Sequence, residues 1–206
     1  MIIAPDDPGP ASPEDVLLAS VVKVFDGDGF LANVWHPDRQ DWIQRVPFRF
    51  AFIDAPDLGQ PFGTESGSFL KSLIAGKRLR LDPIGKESTG GIPIDPYKRV
   101  LCMGYLTENM AIGRIHYYLN GKCSIGCVKS ARSVTRNIEL EMIINGWAWV
   151  VEQYTFDREE EYFEAQNDAR QNGRGLWAMD DPEPPWVFKR RQRRRRQSDG
   201  SQHQLL

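Results

Sequence analysis

The sequence predicts an α+β fold of five strands and three helices, on two kinds of repeating pattern. In residues 42–53 the side chains of Phe48, Phe50 and Phe52 alternate with smaller or charged ones. This is the period-two pattern of a strand with one face in a core. Residues 64–76 instead place their large apolar side chains three and four positions apart, which is typical of an amphipathic helix. The remaining elements follow these two patterns.

Further strands are expected at residues 19–34, which form a hairpin, 77–81 and 99–106. An inserted hairpin is expected at residues 115–128, with Asn120-Gly121 as a favoured two-residue turn. Thr64 can cap the first helix and Asn137 the second, since hydroxyl and amide side chains accept a hydrogen bond from the first helical turn. A charged third helix is expected at residues 159–172, and residues 86–94 between strands are expected to form a flexible loop.

The first hairpin carries a candidate metal ligand. Asp26-Gly27 is a strong hairpin signal, and Asp28 follows at the start of the second strand. An EF-hand is excluded, because Phe30 fills its third ligand position and Pro37 stands where its bidentate glutamate belongs. Asp28 therefore needs a carboxylate from elsewhere in the chain to hold a cation, and Asp54 is the candidate.

The strand at residues 42–53 carries Arg49 and ends at Asp54. An odd separation puts these two side chains on opposite faces of a straight strand. They can share a site only if the chain bends at the strand end, which Pro56 favours. The alternative is an ordinary turn with Arg49 and Asp57 as a surface pair.

A third stretch, residues 95–99, brings Tyr97 and a second arginine, Arg99, to the mouth of another strand. Phosphoryl chemistry requires oxygen ligands for a hard cation, a carboxylate near the attacking water and two guanidinium groups.

Together these stretches resemble the staphylococcal nuclease-like (thermonuclease) family. The resemblance covers roughly residues 21–177 and rests on five motifs in order, V-x-K-V-x-D-G-D, R-x-x-x-I-D-A-P-D, G-x-E-S ahead of a helix, D-x-Y-x-R and G-R-G-L-W. It is interrupted at residues 107–136. The resemblance implies an OB-type five-stranded Greek-key β-barrel with three packed helices.

The resemblance also implies the roles of the site residues. Asp28 and Asp54 correspond to calcium ligands, so Ca²⁺ is the expected cofactor. Asp57 corresponds to the carboxylate that orients or deprotonates the attacking water. Arg49 and Arg99 correspond to the residues that bind the phosphate.

Two tyrosines, Tyr97 and Tyr154, correspond to the lining of a nucleotide pocket. The chain departs from the family pattern at Asp57, where Glu is usual, and at Gly29, where Thr is usual. Because the carboxylate of Asp57 reaches less far than that of Glu, we expect a slow nuclease.

The expected function is calcium-dependent hydrolysis of phosphodiester bonds in DNA, with RNA as a further candidate substrate. The partner is then nucleic acid, with single strands favoured, and the protein is expected to be a monomer. A non-catalytic nucleic-acid-binding or partner-binding module on the same barrel is the main alternative, since a fold does not determine a function.

A zinc-stabilised interaction module is a more distant alternative. It would use residues of the insert, namely His116, Cys123 and Cys127. Their spacing does not match a zinc knuckle and a fourth ligand is missing. The insert has a basic end, formed by Lys129, Arg132 and Arg136. These residues could help to hold substrate, although a solvated loop is the favoured interpretation.

Length and charge predict one domain with tails. With 206 residues, 41% of them hydrophobic, the chain can bury one core. We expect a flexible lead-in at residues 1–18, the barrel domain at 19–180, and a proline-rich linker with a basic tail at 181–206. Residues 1–188 contain 19 basic and 27 acidic residues, a formal charge of −8, whereas residues 189–206 contain seven basic residues and one acid.

The basic run at residues 189–196 has no apolar face, so the tail is expected to be disordered. It can add non-specific nucleic-acid binding, act as a localisation signal or serve only solubility. A cytoplasmic protein is expected on three grounds. No apolar run is long enough to span a membrane, the N-terminus lacks the features of a signal peptide, and three cysteines are an odd number for a disulfide framework.

Overall fold

The computed structural model describes most of the chain, namely residues 1–4, 6–9, 16–36, 38–84, 94–110, 113–119, 122–128, 132–153 and 155–202. It describes only the backbone at residues 110, 113–119, 122–128, 132 and 197–202. The strands are β1 Leu17–Val24, β2 Gly29–His36, β3 Asp41–Phe50, β4 Ile53–Asp54, β5 Arg78–Pro83, β6 Val100–Met110, β7 Gly113–Leu119, β8 Lys122–Val128, β9 Arg132–Asn137 and β10 Trp149–Val150. The helices are α1 Gly63–Ile74, α2 Ile138–Ile144, α3 Glu159–Gln171 and α4 Pro185–Gln202.

Five strands close into a barrel. Antiparallel pairing gives the order β3-β2-β1-β5-β6, and β6 then pairs with β3 in parallel, with Phe48 opposite Val100. This order confirms the OB-type barrel, because closure by pairing of strands leaves no free edge around the ring. The interior is aromatic, and the ring centroid of Phe30 lies 5.4 Å from that of Phe48 and 5.2 Å from that of Phe50.

The helices pack on the barrel, and two of their N-termini test the capping predictions. The Asn137 side chain accepts a hydrogen bond from the backbone N–H of Leu140 (3.0 Å), so the predicted cap of α2 is confirmed. The predicted Thr64 cap is wrong, because α1 begins at Gly63 after Phe62 in the left-handed conformation, and Thr64 lies inside the helix. A Cβ atom at Gly63 would lie 1.9 Å from the Asp57 carbonyl oxygen, so the close turn before the helix sets its start.

The predicted flexible lead-in at residues 1–18 is wrong for the part of it that the structure describes. Ala4 is buried, and the Asp7 carboxylate pairs with Arg158 at 2.5 Å. The backbone N–H of Ile2 donates to the Asn145 side chain at 2.7 Å. These contacts give the polar N-terminal segment specific partners next to α2 and next to α3, which local composition does not show.

The predicted disorder of the tail is also wrong for the part of it that the structure describes, since residues 185–202 form α4. Two aromatic side chains anchor the start of this helix. Trp186 packs against the cluster that contains Trp149 and Trp177, and Phe188 is only 7% exposed. The basic run itself has no apolar face, but the aromatic residues just before it provide the packing that orders the helix.

The inserted hairpin is confirmed, with β7 and β8 antiparallel and Leu119 opposite Lys122. Its turn, Asn120-Gly121, lies outside the described residues, as do residues 86–93 of the predicted loop. The insert side chains named in the zinc hypothesis and the side chains of Lys129 and Arg132 also lie outside the described part.

The expectation of a solvated loop or substrate contact at Arg136 is wrong. This side chain is buried and pairs with Glu141 at 2.5 Å and with Glu108 at 2.6 Å. A buried guanidinium needs such partners to offset its lost hydration. The pairing therefore makes Arg136 a structural link between β9, β6 and α2.

No helix in the described part of the chain combines the length and the apolar composition needed to cross a membrane.

Helix α2 carries a carboxyl group that links the barrel to the helical layer. Glu139 is 0% exposed, and one of its oxygens accepts the backbone N–H of Phe52 at 2.9 Å. Its other oxygen contacts the Tyr162 hydroxyl at 3.3 Å. Burial raises the pKa of Glu139 to about 8, although these hydrogen bonds and the charges of Arg49 and Arg158 oppose the increase.

This pKa predicts a pH-dependent stability. Between about pH 4.5 and 8 the folded protein keeps the Glu139 proton that the unfolded chain releases. The free energy of unfolding should therefore fall as pH rises, by at most ~1.4 kcal/mol per pH unit from this group. Glu139→Gln cannot ionise and should remove this part of the slope. Urea unfolding at several pH values measures it.

Glu160→Gln is the matched control, since Glu160 is exposed on α3. It should keep the slope of the parent protein. Parallel pH profiles for the parent and Glu139→Gln would show that Glu139 is ionised in the folded state.

Candidate active site

A cleft of about 810 Å³ lies at one end of the barrel. Its walls come from the turn between β1 and β2, the end of β3 with the turn that follows β4, the residues before β6, and α4. Barrel closure brings these segments together. Arg49 lies opposite Gly29 on β2 and opposite Leu101 on β6, so residues distant in sequence meet at Arg49.

The guanidinium of Arg49 joins two carboxylates that the sequence analysis singled out. The same nitrogen, Nη2, lies 3.0 Å from Asp28 Oδ2 and 2.9 Å from Asp54 Oδ1. The backbone N–H of Ala55 also donates to Asp28 Oδ2, at 3.1 Å. Between β3 and β4 the chain makes the bend that Arg49 and Asp54 require to share a site. Arg49 therefore pairs with these two carboxylates and is not part of a surface pair with Asp57.

The electrostatics of this group are those of crowded, poorly hydrated charges. Burial and the neighbouring charge of Asp28 raise the pKa of Asp54, although Lys189 and Arg49 oppose the increase. Burial alone would lower the pKa of Arg49, but the charges of Asp28 and Asp54 raise it above its ordinary value. A further cation between the carboxylates would relieve their repulsion.

Asp26 is a site residue that the sequence analysis did not select. It lines the cleft, and its Oδ1 accepts the backbone N–H groups of Asp28 at 3.2 Å and Gly29 at 2.6 Å. Burial and the charge of Asp28 raise the pKa of Asp26 to about 6. A Cβ atom at Gly29 would lie 2.9 Å from Asp26 Oδ1, so the glycine leaves room for this carboxylate. The Asp-Gly-Asp spacing is the signal that could have identified Asp26.

Asp57 lies at the mouth of the cleft. Its side chain is 38% exposed, and Oδ1 is 3.5 Å from Lys189 Nζ. Its carbonyl oxygen accepts the backbone N–H of Gln60 at 2.8 Å. The tight turn that precedes α1 thus holds the backbone of Asp57 while its carboxylate stays accessible to water.

Arg99 lines the same cleft but is held by Asp95. Its Nε donates to Asp95 Oδ2 at 2.8 Å, and its backbone N–H donates to Oδ1 at 2.9 Å. These hydrogen bonds lower the pKa of Asp95 in spite of its partial burial. Tyr97 is 68% exposed, and its ring centroid lies 5.5 Å from the Arg99 guanidinium. The remaining predicted pocket residue, Tyr154, lies outside the described part of the chain.

Lys189 is the second residue that the sequence analysis missed as a site residue. Its Nζ lies 2.9 Å from Asp54 Oδ1. Burial opposes its charge, but the charges of Asp54, Asp28 and Asp57 raise the pKa of Lys189 above its ordinary value. The sequence places this lysine in a basic run without an apolar face. Phe188 and Trp186, just before it, are the signal that the run is attached to the fold.

The carboxylates fit a hard divalent cation in charge and donor type. The oxygens of Asp28 and Asp54 already converge on one cationic nitrogen, and such cations prefer oxygen ligands. Among the described residues no group of three or more His, Cys, Asp or Glu side chains forms a ready ligand set. Backbone, water and substrate oxygens would therefore have to complete the coordination.

Comparisons with known proteins identify the family of this chain. The family described as staphylococcal nuclease homologue matches residues 47–179. An uncharacterized endonuclease of Escherichia coli is 31% identical over 171 residues, which cover 83% of this chain and 84% of that protein. An uncharacterized endonuclease of Haemophilus influenzae is 30% identical over 84% of this chain and 73% of its own length. A micrococcal nuclease of Shigella flexneri is 26% identical over 85% of this chain and 87% of its own length. This chain therefore belongs to the staphylococcal nuclease homologue family.

Proposed function

We propose that this protein is a calcium-dependent nuclease that hydrolyses phosphodiester bonds of DNA by in-line attack of water, with RNA as a further candidate substrate. The observation that carries the proposal is the convergence of Asp28 and Asp54 on one Arg49 nitrogen, within 3.0 Å. Asp57 and Arg99 line the same cleft. Membership of a nuclease family supports a phosphodiester as the substrate.

In this proposal Asp28 and Asp54 hold the calcium ion. Bound there, it would stabilise charge on the phosphate and help to place the attacking water. Asp28 is already oriented by the backbone N–H of Ala55. The bend between β3 and β4 places Asp54 beside Asp28, and the ion would take the place of Lys189 Nζ on Asp54 Oδ1.

Arg49 and Arg99 bind the phosphate oxygens and neutralise the charge that develops on them. A guanidinium group suits this role, because its planar donors match the geometry of phosphate. The anchors of both arginines limit their motion, Asp28 and Asp54 for the first and Asp95 for the second. Such preorganisation is the main source of electrostatic catalysis.

Asp57 orients the attacking water and takes up its proton. Its side chain is accessible at the mouth of the cleft, so a water can reach it. The side chain of Asp is shorter than that of Glu by one carbon–carbon bond, about 1.5 Å. The proposed enzyme is therefore slow, since a misplacement of about 1 Å can cost on the order of 10²-fold in rate.

The proposed substrate is single-stranded nucleic acid. The exposed ring of Tyr97 beside Arg99 supports this, because bases stack on aromatic side chains next to a positive groove. Tyr154 is proposed to line the same nucleotide pocket, and the basic residues 189–196 to add non-specific binding. We also propose that the protein is a monomer and that it lies in the cytoplasm. The odd number of cysteines supports the second of these proposals, because it does not suit a disulfide framework.

Cleavage of single-stranded DNA with calcium and with a chelator tests the proposal. A nuclease of this kind should cleave with calcium and stop when the chelator is added. Binding without cleavage under both conditions would favour the non-catalytic module instead.

The carboxylate pair predicts where calcium binds. Asp28→Asn and Asp54→Asn should each weaken calcium binding by about 10²-fold or more, since loss of partners behind metal ligands alone costs 10–100-fold. Isothermal titration calorimetry measures the affinity, and circular dichroism checks the fold. Asp180→Asn, the same change at an exposed position, should leave the affinity unchanged. Undiminished binding in either site variant would contradict the assignment.

The predicted effect of Arg99 is on the transition state. Arg99→Ala should lower kcat by about 10²-fold, with a smaller change in KM. Asp95→Asn should lower kcat less, because it loosens the arginine without removing it. Steady-state kinetics compare both with Arg39→Ala, an exposed arginine outside the cleft lining. A change confined to KM would assign Arg99 to ground-state binding.

The shorter carboxylate predicts opposite effects of two substitutions at one position. Asp57→Glu restores reach and should raise kcat, whereas Asp57→Ala should lower it, by ~10²-fold or more if Asp57 acts as the general base. Single-turnover cleavage measures the chemical step directly. If Asp57→Ala cleaved as fast as the parent, another group would have to position the water.

A further inference from the structure

Helix α4 lies outside the matched family range, which ends at residue 179, yet it forms one wall of the active-site cleft. Besides Phe188, four polar residues of α4 line the cleft, Lys189, Gln192, Arg193 and Arg196. Their spacing of three, four and seven positions from Lys189 places them on one face of the helix. The helix therefore presents a polar, basic face to the carboxylates and arginines of the barrel.

This wall is attached to the domain at its N-terminal end. Trp186 packs against the cluster of Trp149 and Trp177, and Phe188 is buried beside the cleft. The Gln60 side chain donates a hydrogen bond to the Glu183 carbonyl oxygen just before the helix. These contacts hold the first turns of α4 in place.

The opposite wall carries the exposed ring of Tyr97, and the two walls approach each other closely. Arg193 Nη2 lies 3.4 Å from the Tyr97 hydroxyl. The side chains of the two walls therefore meet, and a strand that binds between them has to part this contact, whereas a double helix is far wider and would have to separate the walls themselves. One strand, with its base on the aromatic ring and its phosphates on the guanidinium groups, matches the chemistry of both walls.

Charge also favours a nucleic-acid strand at this wall. The rest of the chain has a formal charge of −8 over residues 1–188, which would repel a polyanion. The cleft face of α4 adds three cations directly at the site, where the barrel contributes several aspartates.

We propose that the cleft face of α4 binds the phosphates that flank the reacting one, and that it makes the site selective for a single strand lying between α4 and Tyr97. This inference rests on the proposed nuclease function and adds the part of the protein that grips the flanking strand. Lys189 pairs with Asp54 at the carboxylates, and Arg193 and Arg196 follow about one and two turns later along the helix.

Two charge-matched double variants test the proposal. Arg193→Gln with Arg196→Gln removes two charges from the cleft face. Arg190→Gln with Arg194→Gln removes two from exposed positions of the same helix that do not line the cleft. Glutamine keeps the helix propensity of arginine. Fluorescence anisotropy measures binding of a single-stranded oligonucleotide and of the matching duplex, in chelator, over a series of salt concentrations.

The cleft-face variant should lose single-strand affinity by on the order of tenfold or more. Its dependence on salt should become less steep by about 1.4, which is 0.7 for each of two phosphate contacts. Its duplex affinity should change less. The exposed-face variant should show only a small loss for both nucleic acids.

Equal losses from the two variants would overturn the proposal and make α4 a non-specific basic segment. Equal losses for single strand and duplex would overturn the selectivity. Unchanged affinity in the cleft-face variant would overturn both. Because binding is measured without cleavage, these outcomes are independent of the nuclease test. If the parent protein cleaved with calcium while the cleft-face variant bound normally, the proposed nuclease function would stand and the proposed role of α4 would be wrong.

Discussion

The interaction on which the site depends is the buried pairing of Arg49 with Asp28 and Asp54. Two carboxylates within hydrogen-bonding distance of one guanidinium nitrogen would repel each other strongly without that cation. The pairing offsets part of the cost of burying all three charges. It also means that removal of one member leaves the others poorly compensated, so the three residues act as a unit in both folding and ligand binding.

The barrel makes this pairing possible. Arg49 is central because β3 lies between β2 and β6. It pairs with Gly29, which follows Asp28, and with Leu101, which lies two residues after Arg99. Parallel pairing of β3 with β6 closes the ring and brings both arginines to the same end. The aromatic interior around Phe30 and the buried helix α2 stabilise that closure. The site is thus a consequence of how the barrel closes.

The same cleft joins two parts of the chain with opposite charge. Aspartates of the barrel face a helix whose basic run would be unstable as an isolated helix, since its charges repel one another. Its aromatic anchors and the pairing of Lys189 with Asp54 offset that repulsion. Stability of the helix and electrostatics of the site are therefore coupled, because the charges that stabilise α4 are those that line the cleft.

The sequence by itself determined the barrel strands, the inserted hairpin, the first three helices and most of the candidate site residues, but not α4. Periodicity identifies the strand at Phe48, and the amide side chain identifies the cap at Asn137. Both features depend on neighbours a few positions away. Tertiary structure alone decided the contacts made across long separations. It ordered the N-terminal segment on Arg158, buried Arg136, and placed Lys189 against Asp54. Such contacts depend on the geometry of barrel closure and on burial, which change the energy of a charge without leaving a local pattern in the sequence.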